Sequence, residues 1–285
     1  MFMNIRYFLY IFATVAIIGG LLACNSSTDP YSDVPPELPP AEAMQMGFTL
    51  FSDSQNLDLN FTDEFGGDTN METPYSNFLQ ASVRAIAING VLAANTALPV
   101  SVLASAELIE PELNENGDWE WNYTVDAFNR TANVRFTGSD EDGQVRWNVY
   151  ITQSDLNINN QLLFTGLSSP DNSSGSWTYF DPAAGSDSTE QISELMWSYA
   201  GSEDYSLQLE ILTHRNNKFG DILSTSQTGS VKQAAYTDAG DNTQTEVEWD
   251  RDTNEGFLIS PNYNGGVKAC WNRMFVNSSC VDDTE

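Results

Sequence analysis

From Gly117 onward the chain repeats short apolar runs with a period of two, and no other feature limits its fold so strongly. Trp119, Trp121, Tyr123 and Val125 alternate with Glu120, Asn122 and Thr124, so one face of an extended segment is apolar and the other polar. Val134 and Phe136 alternate with Arg135 and Thr137. The acidic turn Ser139-Asp140-Glu141-Asp142-Gly143 follows, and then Val145, Trp147, Val149 and Ile151, which together predict a hairpin. Further strands are predicted over 162–167, 176–180, 195–199, 207–212, 221–225, 231–237, 245–249 and 256–259, each bounded by Gly, Asn, Asp or Ser, and an earlier one over 47–52. Ten or more short strands with no helix between them imply an antiparallel meander in which sequence neighbours pair. A sheet this long curls, either closing into a barrel or wrapping as an incomplete barrel around helices.

Those helices are predicted upstream. Thr73-Pro74 reads as a hydroxyl cap followed by proline at the first helical position, and Leu79, Val83 and Ile86 mark an apolar stripe. A helix is expected over 74–97, broken at Leu98-Pro99, with a second over 99–109 stopped by Pro111. Small residues such as Ala81, Ala85, Ala93 and Ala94 suit close packing on a sheet, and Arg84, Asn89 and Asn95 argue against a membrane role. The fold class is therefore mainly β with two helices, a β-rich α+β arrangement. Its sheet collects Trp119, Trp121, Trp147, Trp177, Trp197 and Trp249 on one face, where they either form the core or line a ligand cavity.

The N-terminus carries one positive side chain, Arg6, then an uncharged apolar run over 7–22, then Leu21-Leu22-Ala23-Cys24. That run is short of the roughly 20 residues a permanent span needs, and its layout is that of a secretory signal over 1–23, with no other segment expected to span. Leu21-Leu22-Ala23-Cys24 resembles the lipobox of bacterial lipoproteins. The resemblance implies cleavage before Cys24, acylation of its thiol and amine, and a membrane as partner through that anchor, since several acyl chains hold where one is marginal. Asn25 after the cysteine resembles the outer-membrane choice of proteobacterial sorting, and the leaflet stays open. Residues 24–43, rich in Ser, Asp and Pro, are expected to be an extended tether, leaving 44–285 as a single β-rich domain.

Charge narrows the partners. With 11 Lys and Arg against 40 Asp and Glu, the chain has a formal net charge of −29, which repels nucleic acid and anionic headgroups. Once Cys24 is assigned to lipid, Cys270 and Cys280 remain as a pair in an oxidising compartment and are expected to form a disulfide. The one imidazole, His214, sits in a polar Thr213-His214-Arg215-Asn216-Asn217 stretch, and no G-x-S-x-G elbow, P-loop or dinucleotide fingerprint occurs. The usual zinc sites need more His and Cys than the chain has. Asp250, Asp252 and Asn254 alternate like the start of an EF-type calcium loop. Gly256 then arrives one position late and the final acid position falls on Pro261, so 254–256 read instead as a hairpin turn. No cofactor and no catalytic residue is predicted.

The chain also resembles a family of uncharacterised envelope lipoproteins of Bacteroidota and related bacteria. The resemblance rests on the order of Leu38-Pro39-Pro40, Trp119-Glu120-Trp121-Asn122-Tyr123, Trp147-Asn148-Val149-Tyr150-Ile151, Phe164-Thr165-Gly166, Gly175-Ser176-Trp177, Thr245-Glu246-Val247-Glu248-Trp249-Asp250-Arg251, and Cys270-Trp271 with Cys280. It implies an exported envelope lipoprotein without an assigned activity. The function expected is a membrane-anchored, non-enzymatic domain that binds an apolar ligand such as an acyl chain. The alternatives are a cell-surface binding or assembly module for glycan or protein, and a carboxylate-based hydrolase.

Overall fold

The computed structural model describes residues 34–39, 73–127, 130–181, 190–214 and 217–280, all within one compact unit, Val34–Glu285. The expected signal, Cys24 and the strand over 47–52 lie outside the described residues. Helix α1 spans Ser76–Ala106. After it come β1 (Glu112–Leu113), β2 (Trp119–Ala127), β3 (Arg130–Glu141), β4 (Gln144–Gln153), β5 (Ile158–Ser168), β6 (Ser174–Phe180) and β7 (Gln191–Gly201). The remaining strands are β8 (Asp204–Ile211), β9 (Ile222–Thr228), β10 (Val231–Asp238), β11 (Thr243–Asp250), β12 (Gly256–Ile259), β13 (Ala269–Trp271) and β14 (Asn277–Ser278).

Among the described residues the 14 strands form one antiparallel sheet in chain order, as a meander requires. Among the described residues no pairing joins β14 to β1, so the sheet does not close into a barrel. Both flanks nevertheless reach the same helix: α1 touches β2 on one side and β9 to β14 on the other. Tyr123 on β2 donates its hydroxyl to the Val102 carbonyl at 2.8 Å.

One helix stands where two were predicted. Pro99 lies inside α1 rather than ending it. A mid-helix proline removes a hydrogen bond and crowds the preceding turn, at a cost of ~3 kcal/mol. Here the apolar stripe runs through it: Leu92, Thr96, Pro99, Val102, Leu103 and Ala106 are all buried, so packing of the last two turns outweighs the local penalty. Nor does Thr73 cap the helix. Its hydroxyl has no partner among the described residues, and Asn277 of β14 accepts from the Asn77 N–H at 2.9 Å instead. By length and composition alone α1 is long and apolar enough to cross a membrane. In this fold one of its faces is core, with Phe78, Ala81, Ala85 and Ile88 buried on the sheet.

The inner face of the sheet is built by pairing tryptophan with glycine. Trp147 stands in register with Gly138 on β3 and Gly166 on β5. Trp177 faces Gly166, Trp197 faces Gly175, and both Trp249 and Trp271 face Gly256. A β-carbon at Gly138 would lie 2.6 Å from the Trp147 ring and one at Gly175 2.7 Å from the Trp197 ring, with Gly166 and Gly256 tighter still. The bare backbone is what lets each indole lie flat across its neighbour strand. The six tryptophans singled out by sequence thus fall into place as core: Trp121, Trp147, Trp177, Trp197 and Trp249 are buried, and Trp119 is half-buried against them.

Part of the expected tether belongs to the folded unit. Pro39 is buried and Leu38 packs on the core. Asn172, in the β5–β6 turn, donates to the Glu37 and Leu38 carbonyls at 2.9 and 3.2 Å. Its own carbonyl oxygen accepts from Ser168, whose hydroxyl accepts from Trp147 Nε1 at 2.9 Å. Leu38 and the proline rings supply apolar area that a freely solvated tether would leave in water, so composition alone misread residues 34–39. At the other end Cys270 and Cys280 are joined by a disulfide, with Cα atoms 5.2 Å apart.

Candidate functional site

Between α1 and strands β7 to β11 lies a cavity of about 540 Å³. Successive turns of one helical face, Ala87, Ile88, Val91 and Asn95, form its roof, with Arg84 one turn earlier. The opposite wall follows the strand register. Ile211 pairs with Ser193, and Leu223, Tyr236 and Thr245 are cross-strand partners, so period-two alternation brings them to one inner surface. Most of the lining surface is apolar, with Ala87, Ile88, Val91, Ile192, Ile211 and Leu223 as its aliphatic members, and none of the six expected tryptophans contributes to it.

Two charged groups interrupt the apolar wall. The first comes from the β8–β9 connection. Asp221 is only 2% exposed, yet its carboxylate is saturated: Oδ1 accepts from the Ala239 N–H at 3.0 Å, and Oδ2 accepts from the Tyr236 hydroxyl and, at 3.3 Å, from Lys218. Lys218 also donates to the Tyr236 oxygen at 2.8 Å and to Asp238 at 3.0 Å. These acceptors raise the Lys218 pKa, the Tyr236 bond foremost and the Asp238 bond next. Burial, then the bond to Asp221, pushes the Tyr236 phenol up. The cluster is closed on itself. It holds a charged lysine and a neutral phenol, with no nucleophile beside a free base.

The second group is Arg84. Its Nε donates to Ser260 Oγ at 3.2 Å, and its Nη1 donates to the Gln80 carbonyl at 2.9 Å and to the Gln80 side chain at 2.6 Å. The Tyr263 ring lies 5.8 Å away. Burial lowers its pKa, the desolvation of a cation. Ser260 Oγ in turn lies 3.3 Å from Thr245 Oγ1, on the cavity wall.

The residues predicted for other roles lie apart from this cavity. Asp250, Asp252 and Asn254 make the β11–β12 turn, where Asp250 Oδ1 accepts from the Asp252 and Thr253 N–H groups and Asn254 takes a positive φ of 64°. Among the described residues no group of three or more His, Cys, Asp or Glu side chains is placed to hold a metal ion. His214 is exposed and stacks on Phe219 with ring centroids 4.0 Å apart. Sequence reasoning missed Arg84, Lys218, Asp221 and Tyr236 as site residues. One signal was available for Arg84, the single charge in the whole span of α1.

Compared with known protein families, curated proteins and solved structures, the chain matches none.

Proposed function

We propose that the protein is an envelope lipoprotein, acylated at Cys24, whose curled sheet and helix act as an incomplete barrel that binds an apolar ligand such as an acyl chain. The observation that carries the reading is the aliphatic cavity under α1. Its volume of about 540 Å³ falls within the ~300–1,000 Å³ of small-molecule sites. Its walls are set by Ala87, Ile88 and Val91 of α1 and by Ile192, Ile211 and Leu223 of the strands, and its charged groups are confined to Arg84 and the Lys218–Asp221 pair, the composition of a site that desolvates a hydrocarbon and fixes one end of it. The proposed ligand surface is therefore the aliphatic hollow, not the tryptophan face.

Mild extraction of the full chain followed by native mass spectrometry tests the binding function. Mass added by a releasable acyl compound is expected. A bare protein that also fails to take up added radiolabelled palmitate or hexadecanol overturns it. Metabolic labelling with a palmitate analogue tests the anchor: the wild type is expected to label and C24S to lose both label and envelope association. An unlabelled wild type overturns the lipoprotein assignment.

A further inference from the structure

Arg84 differs from four other cations whose contacts are described. Arg135, Arg146, Lys218 and Arg251 each sit against a carboxylate. Arg84 has none among the described residues, in a chain with 40 Asp and Glu to offer. Its three hydrogen bonds go to neutral oxygens and engage Nε and Nη1, which leaves Nη2 unpaired among the described residues, at the wall of an apolar cavity. A half-buried cation without a counter-charge is unfavourable, and an anion arriving at that point offsets the cost.

We infer that the ligand is an amphiphile with a single anionic head, a carboxylate or phosphate, held by Arg84 while its hydrocarbon lies under α1 against Ile192, Ile211 and Leu223. This rests on the cavity being a binding site and adds the chemistry of the head. The hydroxyl relay fits it: Ser260 accepts from Arg84 and can donate to Thr245, which frees the Thr245 proton for a second hydrogen bond to the head. Lys218 does not compete, because Asp221 and Asp238 already balance it. Asp221 in turn has Lys218 and Tyr236 bound to it, so its charge is offset at the wall.

Equilibrium dialysis of the full chain held in amphipol, with radiolabelled palmitate, hexadecanol and palmitoyl lysophosphatidate, tests the inference. The wild type is expected to hold palmitate or lysophosphatidate about ten- to a hundredfold more tightly than hexadecanol, the range of one charge-assisted hydrogen-bonded contact. Whichever anion binds more tightly identifies the head as carboxylate or phosphate. R84Q is expected to erase the preference by weakening the two anions, R84K to restore part of it, and A87F, which fills the cavity from an exposed helical position, to weaken all three ligands. Equal binding of alcohol and anions to the wild type overturns the anionic head and leaves the cavity standing. No binding of any of the three overturns the cavity reading itself. The wild-type contrast between alcohol and anions needs no variant, so a misfolded R84Q does not shield the inference.

Discussion

The two stretches of wall on either side of β7 are made by the same meander and finished differently. Over β3 to β7 the inner face is filled: Trp147, Trp177 and Trp197 lie across glycines, Phe136 stacks on Trp147 at 5.1 Å, and Phe164 meets Trp177 edge-on at 5.2 Å. Over β7 to β11 the inward positions at the cavity carry Ile211, Leu223 and Thr245, with the single Tyr236 ring as cross-strand partner of the last two, and the space beneath α1 stays open. Strand pairing and hydrophobic alternation are alike in both. The side-chain volume spent at each inward position decides whether a wall becomes packed core or the side of a cavity, because interiors tolerate few voids unless small residues leave them.

The strongest way to break this contrast is truncation on both sides. Trp147→Ala is expected to cost about 3 to 5 kcal/mol, since it empties a fully buried site and cuts the relay through Ser168 and Asn172 to Leu38. Leu223→Ala, beside an existing void, should cost ~2 kcal/mol or less, because it enlarges a hollow rather than creating one. Urea unfolding of the two variants decides, and equal costs would show that the walls are packed alike.

Opening the disulfide by Cys280→Ser comes next, at about 2.7 kcal/mol for the short loop it closes. The edge it pins also holds the start of α1. The Asn77 side chain donates to the Cys270 carbonyl at 2.7 Å, and the Asn277 N–H donates to the Pro74 carbonyl at 2.6 Å. Hydrogen exchange should therefore loosen the helix roof and the hollow wall first, with β3 to β7 keeping its protection. Uniform loosening would mean that the two walls unfold as one.

Adding volume gives a smaller and sharper comparison. Gly166→Ala pushes a methyl group into the Trp177 ring and should cost about 1 to 3 kcal/mol. Ala87→Leu adds more carbon at the cavity and should change stability by no more than about 0.5 kcal/mol. Thermal melts in parallel would reverse the assignment of filled and hollow walls if Ala87→Leu proved the more damaging.

The filled wall was the more legible in the sequence. Period-two alternation and turn residues are local signals, so strands from Trp119 to Ile259 could be placed within a few residues, and the two-residue strands β1 and β14 were too short to leave one. The tryptophan face was visible as a pattern. Its role became fixed only by register, because Gly166 meets Trp177 through hairpin geometry that composition does not carry. The hollow wall draws its residues from α1, five strands and a loop, and no spacing in the chain joins Arg84 to Thr245. The helix was misread at Pro99 because a local breaker was weighed without the buried stripe that continues past it.

The smallest effect separates the two walls by acid. Asp171, in the β5–β6 turn of the filled wall, is held down to about 2, first by the Ser169 hydroxyl and then by the Ser173 hydroxyl and N–H, the latter two at 2.8 and 3.1 Å. An unfolded aspartate titrates near pH 3.9, so between about pH 4 and pH 2 the unfolded chain takes up this proton before the folded one does. The stabilisation is present above that window and is lost as pH falls through it. Because Asp171 is exposed, the loss is small and partly screened. Asp171→Asn keeps an acceptor in the turn without the proton, so its urea midpoint should fall less than the wild type's between pH 5 and pH 2.5. Asp238, beside the hollow wall, is also held low, by the Asp241 N–H and then by Lys218, and Asp238→Asn should flatten the same profile. The two variants should part in where the acid acts, with Asp171→Asn alone preserving exchange protection around Leu38 at low pH. If both variants track the wild type through the window, neither turn stores acid-sensitive stability, and the walls differ in volume only.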